Sequence, residues 1–456
     1  MMIVSDLKSI LSAEQVSASP SVLEQHSRDE SYHRGPLPDV VVFPESCEDV
    51  VKVVQYAAKN RIPIIPFGAG SSLEGHVVPV RGGISMDMMR MDRILEVRPQ
   101  DFLVRVQPGV TRMKLNEHLK RYGLFFPVDP GADASLGGMA ANNASGTTTV
   151  RYGAMRDHVR SLQVVLADGS VIQTGSLAAK SSSGYNLTNL FVGSEGTLGV
   201  ITELWLKVHG IPEKTIAARA QFPDIRSCVD ACTSIIGAGI AVTRLELVSE
   251  EVIEKFNAYK QTNYKVTPTL FLEFSGSEAV VAHEVELARE VALDQGCMEF
   301  EFVADEADRQ EMWRVRHHAV YAFMHDFPGY GYMTTDVCVP FSRLAEAVLF
   351  AQELLQEMGV PGGIVGHVGD GNFHVMIPVK QDDETSMAAA YQYNEQLVKR
   401  AISLGGTCTG EHGVGLGKMK YQTLEHGPAL QVMRTIKAAL DPLGIMNPGK
   451  LVDPME

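Results

Sequence analysis

Two histidines, His367 and His374, stand seven residues apart on either side of a Gly-Asp-Gly-Asn stretch. Because glycines disfavour a helix over 366–374, we expect a hairpin-like turn that brings both imidazoles towards one point. Two hydrogen-bonded structural histidines are the alternative for the pair taken alone. Glu411 supplies a carboxylate, and a His, His, Glu set leaves open positions on a divalent metal. The sequence therefore predicts a catalytic rather than a structural metal site.

His412 directly follows Glu411, and glycines stand at positions 413, 415 and 417. A glycine-flanked turn allows both backbone and imidazole to approach a reactant closely. An unperturbed imidazole titrates near neutrality, which suits a general base. We therefore expect His412 to take a proton from the substrate, with a hydrogen-bonded core histidine as the alternative.

Three glycine-rich segments lie further towards the N-terminus, at 66–75, 129–153 and 191–202. The first follows a β-type run and sets two glycines beside two serines, which makes it a candidate phosphate cradle. It lacks the third glycine of a dinucleotide-binding fingerprint, since Leu73 stands there, and it lacks the lysine of a P-loop. Taken alone, such a loop is equally expected as a turn without a ligand. The second segment is so poor in large side chains that we expect it to lie against something flat and large.

Together these segments resemble, over nearly all of 38–208, the FAD domain of the vanillyl-alcohol oxidase and p-cresol methylhydroxylase superfamily. At the pyrophosphate the resemblance places Pro66, Gly68, Gly70, Ser71 and Ser72. Around the flavin it places Asp129, Pro130, Gly138, Asn143, Ser145, Gly146 and Gly153, and towards the adenosine Glu195, Gly199 and Ile201. Some members bond FAD covalently through a histidine where this chain has Ser71, and His76 is several residues out of register. The resemblance therefore implies non-covalent FAD.

The two histidine motifs, together with 313–322 and 335–340, resemble the D-lactate dehydrogenase (cytochrome) branch of the FAD-linked oxidases over about 38–452. The same branch holds glycolate oxidase flavoprotein subunits and D-2-hydroxyglutarate dehydrogenases. The resemblance implies that His367, His374 and Glu411 bind zinc or manganese and that His412 is the catalytic base. It also implies that Arg316 holds the substrate carboxylate, a role that suits the planar guanidinium fork.

The implied reaction is FAD-dependent oxidation of a short D-2-hydroxy acid to its 2-oxo acid. Dicarboxylate-specific relatives carry a lysine and an asparagine where this chain has Thr334 (or Thr335) and Met376. We therefore expect a monocarboxylate, D-lactate first, with a glycolate oxidase flavoprotein subunit or a D-2-hydroxyglutarate dehydrogenase as alternatives. A non-catalytic FAD-binding subunit is a further alternative, although all four metal and base residues are present. A cytochrome, a quinone or an electron-transfer flavoprotein is the expected electron acceptor.

Composition limits the class of protein. The 456 residues are 45% hydrophobic and 21% charged, as in an ordinary folded globular protein. A net charge of −15 argues against nucleic acid as a partner, and it means that an anionic substrate needs a local positive site. Six cysteines in so long a chain indicate free thiols and a reducing compartment. No run of 18 apolar residues occurs, so we expect no transmembrane segment and a cytoplasmic location, with peripheral contact with the inner membrane left open.

The order of strand-like and helical patterns predicts an α+β protein in three parts. Residues 1–210 are expected to form an FAD-binding domain, of the PCMH type that the resemblance implies, and 211–410 an α+β substrate or cap domain built on an antiparallel sheet. Residues 411–456 are expected to return to the FAD domain. Among local elements, residue patterns predict helices over 47–60 and 228–236 and strands over 103–106 and 162–166.

Overall fold

The computed structural model describes residues 2–452, which divide into two compact units. Unit 1 runs to Ser145 and includes Gly153–Ile211 together with the segment that begins at Glu411. Unit 2 consists of Gly146–Tyr152 and Pro212–Gly410. The chain therefore enters unit 2 twice, because the short segment before Gly153 belongs with residues much later in the sequence.

The elements follow in chain order. The strands are β1 (Val16–Ser17), β2 (Val40–Val42), β3 (Ile64–Phe67), β4 (Ile84–Asp87), β5 (Ile94–Arg98), β6 (Leu103–Val106), β7 (Leu124–Phe125), β8 (Val159–Val165), β9 (Val171–Gln173), β10 (Val200–Lys207), β11 (His209–Gly210), β12 (Lys214–Gln221), β13 (Val242–Val248), β14 (Thr269–Gly276), β15 (Glu299–Val303), β16 (Gly331–Thr334), β17 (Val337–Cys338), β18 (Gly363–Gly366) and β19 (Asn372–Val379). The α-helices are α1 (Met2–Ile10), α2 (Pro20–Gln25), α3 (Cys47–Asn60), α4 (Arg112–Leu119), α5 (Leu136–Asn142), α6 (Thr149–Tyr152), α7 (Met155–His158), α8 (Leu187–Phe191), α9 (Ile225–Gly237), α10 (Glu250–Lys260), α11 (Glu278–Asp294), α12 (Glu306–His317), α13 (Ala319–Met324), α14 (Phe341–Met358), α15 (Glu384–Ser403), α16 (Gln422–His426) and α17 (Ala429–Leu440).

Unit 1 contains a small mixed sheet in the order β1-β2-β4-β3, in which β4 pairs parallel to both neighbours. Helix α3 covers it with a buried stripe of Val50, Val53, Val54 and Ala57. The helix starts where the Ser46 hydroxyl accepts a hydrogen bond from the backbone N–H of Asp49, which satisfies one of the unpaired donors of the first turn. The strand β3 of this sheet leads into the first glycine-rich segment.

A second sheet of unit 1 is antiparallel, in the order β5-β6-β10-β8-β9. Its buried face forms one apolar core with α5 and α8, and that core includes Leu136, Met139 and Phe191. The second glycine-rich segment contains α5, and the third begins at Phe191, the last residue of α8. Apolar packing of a few larger side chains therefore fixes the glycine-rich backbone around them.

The C-terminal segment of unit 1 is attached to β3. The N–H of Ile64 donates to the Ile445 carbonyl at 2.7 Å, and the N–H of Asn447 donates to the Ile64 carbonyl at 2.8 Å. The buried Lys450 ammonium donates to the Val78 carbonyl, and burial lowers its pKa to about 8. Residues after α17 thus continue the sheet that carries the first glycine-rich segment.

Unit 2 is built on an eight-stranded sheet in the order β15-β12-β14-β13-β18-β19-β16, with β17 paired to β19. All of its strand pairs are antiparallel, as predicted. Strands β18 and β19, both flanked by other strands, are buried along their whole length, as expected for a sheet covered on both faces. The predicted α+β class with an antiparallel sheet is confirmed.

Two further sequence expectations concern the cysteines and membrane-spanning helices. The six cysteines are free thiols, four of them buried. Among residues 2–452, none of the helices combines the length and the apolar character that crossing a bilayer requires.

Candidate active site

The two predicted metal histidines lie at the β18–β19 hairpin of unit 2. β18 ends at Gly366, His367 begins the connection, and His374 is the third residue of β19. Gly371 closes the turn with φ +85°, where a Cβ would lie 2.3 Å from the Val339 carbonyl oxygen, so only glycine fits there. The two imidazole centroids are 5.4 Å apart with their planes nearly perpendicular. The glycine-rich turn therefore brings the two rings together.

Each ring is held through its Nδ1 atom. His367 Nδ1 is 2.7 Å from Glu246 Oε1, and His374 Nδ1 is 3.1 Å from the Thr335 carbonyl oxygen. Carboxylate and carbonyl oxygens only accept, so each neutral ring carries its proton on Nδ1 and its lone pair on Nε2. Metal-ligating histidines in proteins are typically oriented in this way. The donor set therefore fits a divalent metal.

The end of unit 2 lies beside the same hairpin. The fully buried Asp336 carboxylate accepts from Asn372 Nδ2 at 2.8 Å and from Thr409 Oγ1 at 2.7 Å. At Gly410 an added Cβ would lie 2.1 Å from Asn372 Nδ2, so the backbone there is packed against the side chain at the start of β19. Gly410, the residue before Glu411, is consequently held beside Asn372 by contacts within unit 2.

Arg316 lies in the last turn of α12. Its side chain is 14% exposed, and its Nε atom donates to Glu246 Oε2 at 2.7 Å. A guanidinium has five N–H donors, and this contact uses one of them. The Glu246 carboxylate therefore holds both the positively charged Arg316 and the ring of His367.

Glu411 and His412 begin the final segment of unit 1, where side chains of the second glycine-rich segment hold them. Asn142 Nδ2 donates to the carbonyl oxygens of Glu411 and His412 at 3.1 and 3.0 Å. The Ser145 hydroxyl donates to Glu411 Oε2 at 3.0 Å. The backbone that carries the predicted base is therefore fixed on both of its carbonyls.

Two buried carboxylates fix the residues that follow. Glu195 accepts from the N–H groups of Val414 and Gly415 at 2.7 and 2.9 Å, and its Oε1 lies 3.3 Å from His76 Nε2. Burial alone raises the pKa of a carboxyl group, but the His76 ring and the two N–H groups outweigh it and hold the pKa of Glu195 below its usual range. The second carboxylate, Glu74, pairs with Lys418 at 3.2 Å. Both acids favour one conformation of the segment after His412.

Replacing Gly413 by alanine is expected to lower the rate of flavin reduction about 10²-fold, because it displaces the neighbouring His412. Gly413 has φ +84°, and an added Cβ would lie 2.3 Å from Asn142 Oδ1 and 2.6 Å from His76 Nε2. Gly427→Ala is the matched control, since Gly427 also has positive φ but no atom within 4 Å of an added Cβ. Stopped-flow reduction rates check the prediction, and equal rates for the two variants would contradict it.

The three glycine-rich segments meet in unit 1. A Cβ on Gly68 would lie 2.4 Å from Ser135 Oγ and 3.8 Å from Gly138 Cα, which joins the first segment to the second. The N–H of Gly193 donates to the Ala140 carbonyl at 2.9 Å, which joins the second to the third. A Cβ on Gly196 would lie 3.0 Å from Pro66 Cγ, which joins the third to the first. Closely packed backbone with few side chains suits a large flat cofactor such as FAD.

The other predicted FAD residues differ in backbone conformation and burial. Gly70 and Gly153 have positive φ, and Asn143 ends α5 in the left-handed region with its Oδ1 accepting from the N–H of Arg156. The half-buried members are Ser71, Ser72, Asp129, Pro130 and Ser145. Buried members are Glu195, Gly199 and Ile201, while Gly146 is buried within unit 2.

Sequence reasoning missed the residues that hold the predicted ones. Glu246, Asp336, Asn142 and Glu74 do not belong to the predicted site residues, yet each accepts from or donates to the groups described above. One sequence signal exists for Glu246, which is a single carboxylate inside the apolar run 245–248. Such a residue is costly to bury unless it is paired.

Comparison with known proteins gives two family matches. The family described as FAD linked oxidases, C-terminal domain, matches residues 211–451, and the FAD binding domain family matches residues 38–175. Together they account for most of the chain and assign FAD to it as cofactor.

Individual relatives agree with these matches. The probable mitochondrial D-lactate dehydrogenase of Danio rerio is 46% identical over 99% of this chain and 92% of its own length. The mitochondrial D-lactate dehydrogenase [cytochrome] of Arabidopsis thaliana is 42% identical over 99% of this chain and 80% of its own length. The crystal structure of p-cresol methylhydroxylase superposes with a TM-score of 0.81 at 18% identity, covering 99% of this chain and 96% of that chain, and so shows the shared fold. The chain thus belongs to the FAD-linked oxidases, in the branch of the cytochrome-type D-lactate dehydrogenases that its motifs predicted.

Proposed function

We propose that this chain oxidises a short D-2-hydroxy acid, D-lactate first, to the corresponding 2-oxo acid with FAD as the hydride acceptor. The observation that carries the proposal is the group of His367, Glu246 and Arg316 in unit 2. There a metal-type imidazole and a carboxylate-binding guanidinium are held by one buried acid. A 2-hydroxy acid offers the matching groups, a hydroxyl beside a carboxylate. The names of the relatives at 46% and 42% identity support the same substrate.

His367, His374 and Glu411 are the proposed ligands of a divalent metal, zinc or manganese. The two imidazoles present Nε2 because each Nδ1 is hydrogen-bonded. Glu411 is covalently next to Gly410, whose position beside Asn372 is fixed within unit 2. When bound, the metal would act as a Lewis acid that lowers the pKa of the substrate hydroxyl.

His412 is the proposed base, and it accepts the hydroxyl proton of the substrate. As the hydroxyl oxygen loses its proton, the carbon–oxygen double bond forms and the α-hydrogen leaves with its electron pair. When bound, FAD would supply the hydride acceptor for this two-electron oxidation. Arg316 binds the carboxylate through its fork and orients the α-carbon. Asn142 holds the backbone carbonyl of His412, and Glu195 holds the N–H groups of Val414 and Gly415 that follow it.

The FAD residues predicted from the sequence are proposed as contacts of the bound cofactor. The first glycine-rich segment has backbone N–H groups and two serine hydroxyls for the pyrophosphate. Close packing of the second and third segments leaves a surface of mostly small residues for the flavin and the adenosine. Serine at position 71 supports non-covalent attachment, because its hydroxyl does not form the bond that a histidine forms in some members.

A short monocarboxylate is favoured by two positions. Met376 is fully buried and its Cα pairs with that of Thr334 across β16 and β19. The Thr335 hydroxyl accepts from the N–H of Val375 at 2.9 Å. Neither position offers a cation or an amide for a second carboxylate, so we infer selection against 2-hydroxyglutarate.

The electron acceptor is proposed to be a cytochrome, as the name of the Arabidopsis relative suggests, with a quinone or an electron-transfer flavoprotein as alternatives. Both relatives are named as mitochondrial proteins, and the cytoplasmic location expected from the sequence stays a prediction.

Anaerobic reduction of the bound flavin tests the proposal without any acceptor. We expect D-lactate and D-2-hydroxybutyrate to bleach the flavin absorbance with a higher ratio of rate to Kd than glycolate, D-2-hydroxyglutarate or L-lactate. Removing the metal with a chelator is expected to slow the reduction about 10²-fold, and adding zinc or manganese to restore it. A higher ratio for D-2-hydroxyglutarate would contradict the substrate. A higher ratio for glycolate, with turnover only after partner subunits are added, would favour the glycolate oxidase alternative.

A further inference from the structure

Glu246 is a fully buried carboxylate in the middle of β13. Its neighbours Leu245 and Leu247 are buried too, so both faces of the strand are covered at this position. A carboxylate in such a place is strongly disfavoured unless positive or hydrogen-bonding groups compensate it. A carboxylate at this place in an apolar strand therefore needs specific partners.

The two oxygens of Glu246 have different partners. Oε1 accepts from His367 Nδ1 and Oε2 accepts from Arg316 Nε, each at 2.7 Å. The strand register explains the first contact, because Leu247 pairs with Gly366, the residue before His367. Helix α12 brings Arg316 to the other oxygen. One rigid planar group thus joins a proposed metal ligand to the proposed substrate anchor.

We propose that Glu246 is a positioning residue that links metal binding to substrate-carboxylate binding. This inference rests on the proposed function, since it uses the roles of His367 and Arg316 given there. Through Oε1 the carboxylate selects the His367 tautomer that carries its lone pair on Nε2. Through Oε2 it sets the rotation of the guanidinium fork. A change in either partner therefore shifts the shared carboxylate and alters the affinity at the other site.

Glu246→Gln is the informative substitution because it preserves shape and removes charge. A glutamine amide accepts through one atom only, so one of the two contacts is lost whichever way it is oriented. We expect the affinity for zinc to fall about 10- to 100-fold, as for other partners of metal-ligating histidines. Propionate, a carboxylate without a hydroxyl, is expected to bind the metal-free flavoprotein about tenfold more weakly, as for a lost charge-assisted hydrogen bond.

Glu273→Gln is the matched control. Glu273 is a buried carboxylate on β14 of the same sheet and pairs with Arg244 at 3.3 Å. Its loss is expected to lower thermal stability and to leave both affinities within twofold of the wild type. A merely structural role of Glu246 would give the same pattern in both variants, and that result would overturn the inference.

Arg316→Lys tests the link from the other side and does not depend on the folding of the Glu246 variant. Lysine keeps the charge but has no Nε–H in the fork geometry. We expect zinc to bind this variant several-fold more weakly, although Arg316 is no metal ligand. Unchanged zinc affinity would overturn the link.

The measurements use the FAD-loaded full chain, with zinc followed by competition with a fluorescent chelator and propionate by the flavin absorption spectrum. Failure of the wild type to bind zinc or propionate would overturn both the proposed function and the inference. Wild-type binding of both, with unchanged affinities in Glu246→Gln, would overturn the inference alone.

Discussion

Replacing His412 by alanine is expected to slow anaerobic reduction of the flavin by D-lactate about 10²- to 10⁴-fold, the range that general-base catalysis contributes. The reason is that the variant lacks the proposed acceptor of the hydroxyl proton, while the proposed carboxylate anchor, Arg316, is unchanged. FAD content is expected to match the wild type, because the proposed FAD contacts lie in the three glycine-rich segments. Stopped-flow bleaching and the ratio of flavin to protein absorbance measure the two effects.

The exposed His283 on α11 supplies the control. His283→Ala also loses one imidazole, and it is expected to reduce flavin at the wild-type rate. Wild-type reduction by His412→Ala would remove the proposed base. Loss of FAD from this variant would show a structural role for the ring instead.

Replacing Lys437 by methionine is expected to lower the free energy of unfolding by about 3–5 kcal/mol, as for breaking a buried ion pair from one side. Lys437 and Asp441 are both 2% exposed, and the ammonium donates to Asp441 Oδ2 and to the carbonyl oxygens of Thr197 and Met446. Methionine leaves an uncompensated charge and two unpaired carbonyl groups in the interior. Urea unfolding followed by far-ultraviolet circular dichroism measures the change.

Lys399→Met is the matched control for this prediction. Lys399 and Glu395 form an exposed pair four residues apart on α15, with Nζ 2.5 Å from Oε1. Exposed helix pairs of this kind contribute about 0.3–0.5 kcal/mol, so the control is expected to lose no more than that. Equal losses in the two variants would contradict the assignment of Lys437 as a central buried contact. Lys437 also joins the C-terminal segment to the third glycine-rich segment, so Lys437→Met is also expected to bind FAD more weakly.

Much of the secondary structure could be predicted because its causes are local. The helix over Cys47–Asn60 and the strand over Leu103–Val106 have the predicted bounds, since apolar spacing and capping residues act over a few positions. Other elements differ at their ends. The strand predicted at 162–166 is Val159–Val165, and the helix predicted at 228–236 is Ile225–Gly237, where Asp224 provides the cap. Element ends depend on caps and on pairing with distant strands, which periodicity does not report.

The candidate site could be predicted in part. The histidine pair is separated by a short glycine turn, so spacing alone indicated that the two rings would meet. Glu246 is 121 residues from His367 in sequence, and only the pairing of β13 with β18 brings them together. Gly146 likewise stands among predicted flavin residues, yet its segment packs within unit 2, where Val150 lies against Gly369.

The sequence by itself determined the family to which this chain belongs and the residues that are candidates for its chemistry. The three glycine-rich segments carry the family resemblance that implied FAD. The residue types and spacing of His367, His374, Glu411 and His412 suit a metal site and a base, because those properties belong to short stretches of chain. Only the tertiary structure decided what orients them. The tautomer of an imidazole, the rotation of a guanidinium and the fixed backbone of a catalytic loop depend on hydrogen-bond partners from distant strands. Here those partners are Glu246, Asn142 and Glu195, and folding alone places them.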